Sequence, residues 1–134
     1  MAFTTKNSQN LLPNKNSGQR TLVSRLVDVA DVVFLKAAKS RADIEAFVTE
    51  FNGPGYDGIM IVMLLYSSGF RLLRALERNR LPILLANIQP LPTVTPDWDW
   101  SRLTTNQGIH GAQDSANMIL QSGLRGYPCG PGPI

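Results

Sequence analysis

A chain of 134 residues, 43% hydrophobic and 17% charged, has the length of one domain and can bury a core without disulfides or metal. Thirteen Lys and Arg against ten Asp and Glu leave a formal charge of +3, too weak a bias to argue for binding a phosphate backbone, so no nucleic-acid partner is expected. The single cysteine, Cys129, excludes a disulfide framework within the chain, and the single histidine, His110, excludes a self-contained zinc site built on His and Cys.

Residues 1–20 are rich in Asn, Gln, Ser and Lys without periodicity, and predict a disordered N-terminal arm. They hold no apolar run of signal-peptide length. The longest apolar stretch, Ile59 to Tyr66, falls far short of the roughly 20 residues of a membrane-spanning helix. The expectation is a cytoplasmic protein with no membrane partner.

From residue 21 onward the hydrophobic pattern alternates between two periods. Leu22, Val23, Leu26 and Val27 share a helical face, which predicts a helix to about Ala30. Asp31 to Lys36 reads as a short buried strand. Ser40 caps a second helix with Asp43 three positions on, and Ile44, Phe47, Val48 and Phe51 form its core stripe. Asn52-Gly53-Pro54-Gly55 stops it. Gly58 to Leu65 is a continuous apolar strand, apolar on both faces. Ser67-Ser68-Gly69 opens a third helix to about Arg78, and Pro82 starts a strand that runs to Gln89. A Pro-rich connection follows, then Asp97-Trp98-Asp99-Trp100, and a last helix is predicted over Ala112 to Gln121 with Ala116, Ile119 and Leu120 inward.

Strands beginning near 31, 58 and 82 with helices between them make a β-α-β-α-β order, which implies parallel strands and right-handed crossovers. The expected fold is α/β, a doubly wound, flavodoxin-like and mostly parallel sheet with three β-α units over residues 21–122. Residues 123–134 form an irregular Pro/Gly tail in this reading. Ligands meet such sheets at the carboxyl ends of the strands.

Several chemistries have weak support there. Ser67-Ser68-Gly69 could offer an anion site at a helix start, but no G-x-G-x-x-G or P-loop pattern accompanies it, and a serine cap is the simpler account. Cys129 sits in the tail with nothing nearby to lower its pKa. Asp97 and Asp99 could serve acid/base work or hold a sugar beside the tryptophans, yet capping aspartates in a loop, with the tryptophans covering a core edge or a subunit contact, explain them as well. Asn106, Gln107 and His110, bracketed by Gly108 and Gly111 and set beyond Gln89, are groups suited to the hydroxyls of a small polar ligand. A histidine that satisfies a loop carbonyl is the equal alternative.

The order of strand Leu81 to Gln89, Pro-rich loop and Asn106-Gln107-x-x-His110-Gly111 resembles the L-arabinose/L-fucose isomerase family. Tyr56-Asp57-Gly58-Ile59-Met60, Tyr66-Ser67-Ser68-Gly69 and Ala116-Asn117-Met118 fit the same stretch. The similarity spans roughly residues 22–122 and is sharpest over 82–118. It implies the N-terminal region of an aldose–ketose isomerase, with Mn²⁺ or a similar divalent ion in a full-length member and a sugar substrate. His110, Gln107, Asn106 and Gln89 would then be substrate-binding residues at the rim of a site shared with a neighbouring subunit, which implies a homo-oligomer.

The family's metal ligands are glutamates and histidines of a later domain. This chain has three glutamates, Glu45, Glu50 and Glu77, all on predicted helices. The expectation is therefore no catalytic residue, no metal site and no cofactor within these residues, and no isomerisation by the chain alone. Ala112-Gln113-Asp114 after His-Gly departs from the arabinose-isomerase pattern and points toward a fucose-isomerase-like relative. A standalone α/β ligand-binding or protein-interaction module is the alternative.

Overall fold

The computed structural model describes residues 2–5, 24–26, 28–89, 91 and 93–124. In chain order it contains β1 (Ala2–Thr5), β2 (Val32–Val33), α1 (Arg41–Phe51), β3 (Ile59–Val62), α2 (Phe70–Leu76), β4 (Ile83–Ala86), α3 (Trp100–Thr105) and α4 (Gly108–Gln121). From β2 to α3 strands and helices alternate, so the chain is α/β as expected. Cys129 and the Pro/Gly tail lie outside the described residues.

The sheet order is β2-β1-β3-β4. β3 and β4 pair in parallel, with Ile59 opposite Ile83 and Val62 opposite Ala86. β1 pairs antiparallel with both β2 and β3. This corrects two expectations. Ala2–Thr5, inside the segment read as a disordered arm, forms a strand. The sheet expected to be mostly parallel has one parallel pairing and two antiparallel ones. Because β1 opposes both of its neighbours, β2, β3 and β4 still run in one direction.

The alternation along β3 divides the core in two. Ile59, Ile61 and Met63 meet Phe47, Val48 and Phe51 of α1, Leu72, Ala75 and Leu76 of α2, and Ala112 and Ile119 of α4. Three helices therefore cover that face. Val62 and Val32 form a smaller cluster on the opposite face, where Leu26, Ala30, Phe34, Met60, Ala86 and Ile88 pack. The helix expected from 22 to about 30 has helical residues at 24–26 and a turn at 28–29 among its described residues.

Local chemistry explains the helix ends. Ser40 and Asp43 form a reciprocal capping box: the Ser40 hydroxyl accepts from the Asp43 N–H, and Asp43 accepts from the Ser40 N–H. At the far end of α1, Asn52 donates to the Val48 carbonyl at 2.6 Å and to Asn79 at 3.1 Å, and accepts from the Arg80 N–H at 2.7 Å. These two amide side chains tie the end of α1 to the turn that leads into β4. Phe51 is fully buried, and its ring meets Tyr56 edge-on at 5.4 Å.

The last part of the chain departs most from expectation. The stretch read as an irregular connection contains α3, and α4 begins at Gly108, four residues before the predicted start. The inward stripe of α4 is Gly108, Gly111, Ala112, Ser115 and Ile119, while Leu120 is 69% exposed. Small residues bring this helix against backbone rather than side chains. A Cβ on Gly108 would collide with the Met63 carbonyl, and one on Gly111 would lie 3.3 Å from the Leu65 carbonyl and 3.2 Å from the Ser67 nitrogen. Ser115 is fully buried in the same stripe, and its hydroxyl has no hydrogen-bond partner among the described residues.

Candidate functional site

The carboxyl ends of β3 and β4 lead into the segments that flank the start of α4. The close approach of Gly108 to Met63 and Ile88 sets this geometry, because it brings the first turn of α4 onto the exits of both strands. Gln107 precedes that contact and Gln89 follows Ile88, so the fold carries these two expected site residues to one junction. Both are half-buried. Gln107 holds the N-cap position of α4 without a side-chain cap bond. His110 lies in the first turn of the helix and is exposed to solvent.

Asn106 is the exception among the four. It is 9% exposed, and its amide engages Leu91 in both directions: Oδ1 accepts from the Leu91 N–H at 3.1 Å and Nδ2 donates to the Leu91 carbonyl at 3.5 Å. Its visible role is to pin the Pro-rich connection to the α3–α4 joint.

The segment before α3 is polar and well connected. Asp99 caps α3 by accepting from the Arg102 N–H at 2.8 Å, and Arg102 Nη1 reaches Asp97 at 2.7 Å. The Thr95 hydroxyl, the local backbone and Arg102 hold the Asp97 carboxyl below its ordinary pKa. Such a group stays ionised and is poorly suited to act as a general acid. Both aspartates thus have capping and loop-bracing partners. Of the two tryptophans, Trp98 is half-buried and Trp100 is 77% exposed.

The anion site considered at Ser67-Ser68-Gly69 is met from inside the protein. Asp114 Oδ2 accepts from the Gly69 N–H at 2.8 Å, so a carboxylate of α4 satisfies the amide of the residue at the N-cap of α2. Sequence reasoning missed this role, since 45 residues separate the two partners and no local pattern links them.

Among the described residues no three His, Cys, Asp or Glu side chains come together in a metal-binding group. These residues therefore do not fit the divalent ion that the family resemblance implies, and no chemical step runs through one here. An apolar crevice between α1, α2 and β3, lined by residues including Ala38, Phe47, Ile61 and Leu72, holds about 20 Å³ of free space. That is room for a single water molecule, not a sugar. Among the described residues no helix is long and apolar enough to cross a membrane.

No protein-family model matches this sequence, and no curated protein matches it. The arrangement at the strand exits remains the basis for a functional reading: an exposed imidazole, two half-buried amides nearby in the fold, and exposed Leu64, Leu65, Tyr66, Trp100 and Leu103 on the segments around them.

Proposed function

We propose that this chain is the N-terminal α/β portion of an aldose–ketose isomerase-like protein of the L-fucose/L-arabinose type. It lends residues to the rim of a sugar site and takes part in self-association. The observation that carries this reading is the position of His110. It faces solvent in the first turn of α4, beyond the carboxyl ends of the parallel β3–β4 pair, where α/β sheets bind ligands. The order of Gln89, Pro-rich loop, Asn106-Gln107 and His110-Gly111 supports the same assignment. Leu26 and Ala30 on the second face of the sheet support cover on both faces, the layering of a doubly wound sheet with three β-α units, into which β1 is inserted antiparallel.

In this reading the imidazole of His110 and the amides of Gln107 and Gln89 hydrogen-bond sugar hydroxyls. Asn106 braces the loop behind them. In a full-length member of that family a divalent ion would be held by glutamates and histidines of a later domain and would supply Lewis-acid polarisation of sugar oxygens. The exposed apolar side chains on the segments around the rim suit a neighbouring subunit that completes the site. A standalone interaction module is the second reading, favoured by α3, which has no buried residue and presents Trp100 to solvent.

His110 is the one histidine of the chain, so its ring protons give isolated NMR signals. Titration with L-fucose or L-arabinose should shift them saturably in the millimolar range, and glycerol should not. Unmoved signals would discard the sugar-rim reading and leave the interaction module.

A further inference from the structure

β4 closes the sheet. Among the described residues no strand pairs with its outer side. Natural edge strands are blunted by short length, charged side chains, bulges or proline; Ile83–Ala86 is four residues long and follows Pro82, but Leu81 to Gln89 carries no charge. Its residues are apolar on both faces, the composition of a strand paired on both sides, yet Leu84 is 56% exposed. The Pro82 carbonyl accepts from the Ile59 N–H. By alternation along the parallel pair, Leu84 and Ala86 also turn their backbone groups to β3. The Ile83 and Leu85 amides then point to the open side.

The helix layer has a matching flank. α4 packs against α2 and touches β4, so it borders the same side of the molecule. Beside its buried stripe runs a second one, Ile109, Ala116 and Leu120, half-buried to exposed, with the amides of Gln113, Asn117 and Gln121 around it. From Leu103 to Leu124 there is no Lys, Arg or Glu, and the titratable residues are His110 and Asp114; the Asp114 carboxylate accepts from the Gly69 N–H. The flank of β4 and α4 thus presents no Lys, Arg, Asp or Glu side chain outward, with His110 at the start of α4 as its one ionisable group there, in a chain where about one residue in six is charged.

We propose that this flank is a two-fold interface on which a second copy of the chain pairs β4 against β4 antiparallel and sets α4 beside α4. A two-fold axis places a surface against itself, so any exposed charge near the axis meets its like. A neutral apolar edge avoids that repulsion, and side-chain amides, each both donor and acceptor, complement their own copies. A partner recognised by charge would require charges that this flank lacks. The proposal gives a surface to the self-association put forward above and rests on that part of the reading alone. The His110 titration tests the sugar rim separately.

Sedimentation equilibrium of the 134-residue chain should show a monomer–dimer equilibrium. Leu84→Lys places two ammonium groups near the axis and should weaken the dimer at least about tenfold. Leu120→Glu on α4 should weaken it as well. Leu84 and Leu120 are exposed in one copy, so both variants should retain the native two-dimensional NMR spectrum. Hydrogen exchange supplies the second readout: the Ile83 and Leu85 amides should exchange slowly in the dimer and at least about tenfold faster in Leu84→Lys, as unpaired strand amides do. A chain that stays monomeric across concentration would overturn the proposal. So would a dimer in which these two amides exchange fast, or one lost in Trp100→Ala but kept in Leu84→Lys.

Discussion

Asp43 shows how much one side chain can contribute at the start of a helix. Its carboxylate takes the Lys36 ammonium at 2.7 Å and the N–H groups of Lys39 and Ser40 at 3.0 Å each. Lys36 first, then these backbone donors and the Ser40 hydroxyl, hold its carboxyl well below the usual Asp range. A group whose pKa is lowered on folding stabilises the fold above its unfolded value, about 3.9. That contribution is lost as pH falls through the folded value. Asp43→Asn should therefore lower stability at neutral pH, and the gap from the parent chain should narrow steadily below about pH 4. Urea melts at neutral and strongly acidic pH check this. A gap that stays constant across the range would mean the negative charge is not its source.

His110, Gln107 and Gln89 belong to the same scale. The Ser40–Asp43 box was legible in the sequence because it depends on near neighbours, whereas the approach of Gln107 to Gln89 depends on the packing of Gly108 against Met63 and Ile88. The engagement of Asn106 with Leu91 and of Asp114 with Gly69 was not legible either. Both join residues distant in sequence, and a short polar side chain gives no sign of which backbone group will reach it.

Among the elements, α1 matched its sequence pattern closely. Its apolar spacing, cap and stop signal all agree, and consistency of that kind specifies a helix. α4 was harder to read. Its buried stripe of glycine, alanine and serine leaves a weak hydrophobic period, so the reading turned Ala116 and Leu120 inward. Helix–backbone contact chose the smaller side chains instead. This makes Gly108 a sharp test. Its Cβ would meet the carbonyls of Met63 and Ile88, and backbone cannot yield as a flexible side chain does. Gly108→Ala should destabilise the chain by about 1–3 kcal/mol. Gly111→Ala, whose nearest contacts are 3.2–3.4 Å, should cost less. Thermal melts of the two variants decide it, and equal costs would argue against close packing at Gly108.

For the molecule as a whole, three helices share one face of the sheet, and a smaller cluster that includes Leu26 and Ala30 covers the other. Among the described residues the carboxylates are spread over helices, caps and loops, and no three of His, Cys, Asp or Glu gather in a metal-binding group. Under the proposed assignment as a rim domain, purified chain supplied with Mn²⁺ should give no ketose from L-fucose or L-arabinose above a protein-free blank. Measurable conversion would overturn the assignment as a rim domain.

The sequence by itself determined the α/β class, the approximate places of α1, β3, α2 and β4, and the exclusion of an internal disulfide framework. Those follow from periodicity, turn chemistry and residue counts, which are local or additive. Tertiary structure decided the rest: the insertion of β1 between β2 and β3, the open side of β4, and the strand exits that α4 meets. Strand pairing and close helix packing join residues far apart in the chain, and their energies depend on which surfaces meet. No local pattern of side chains encodes that choice.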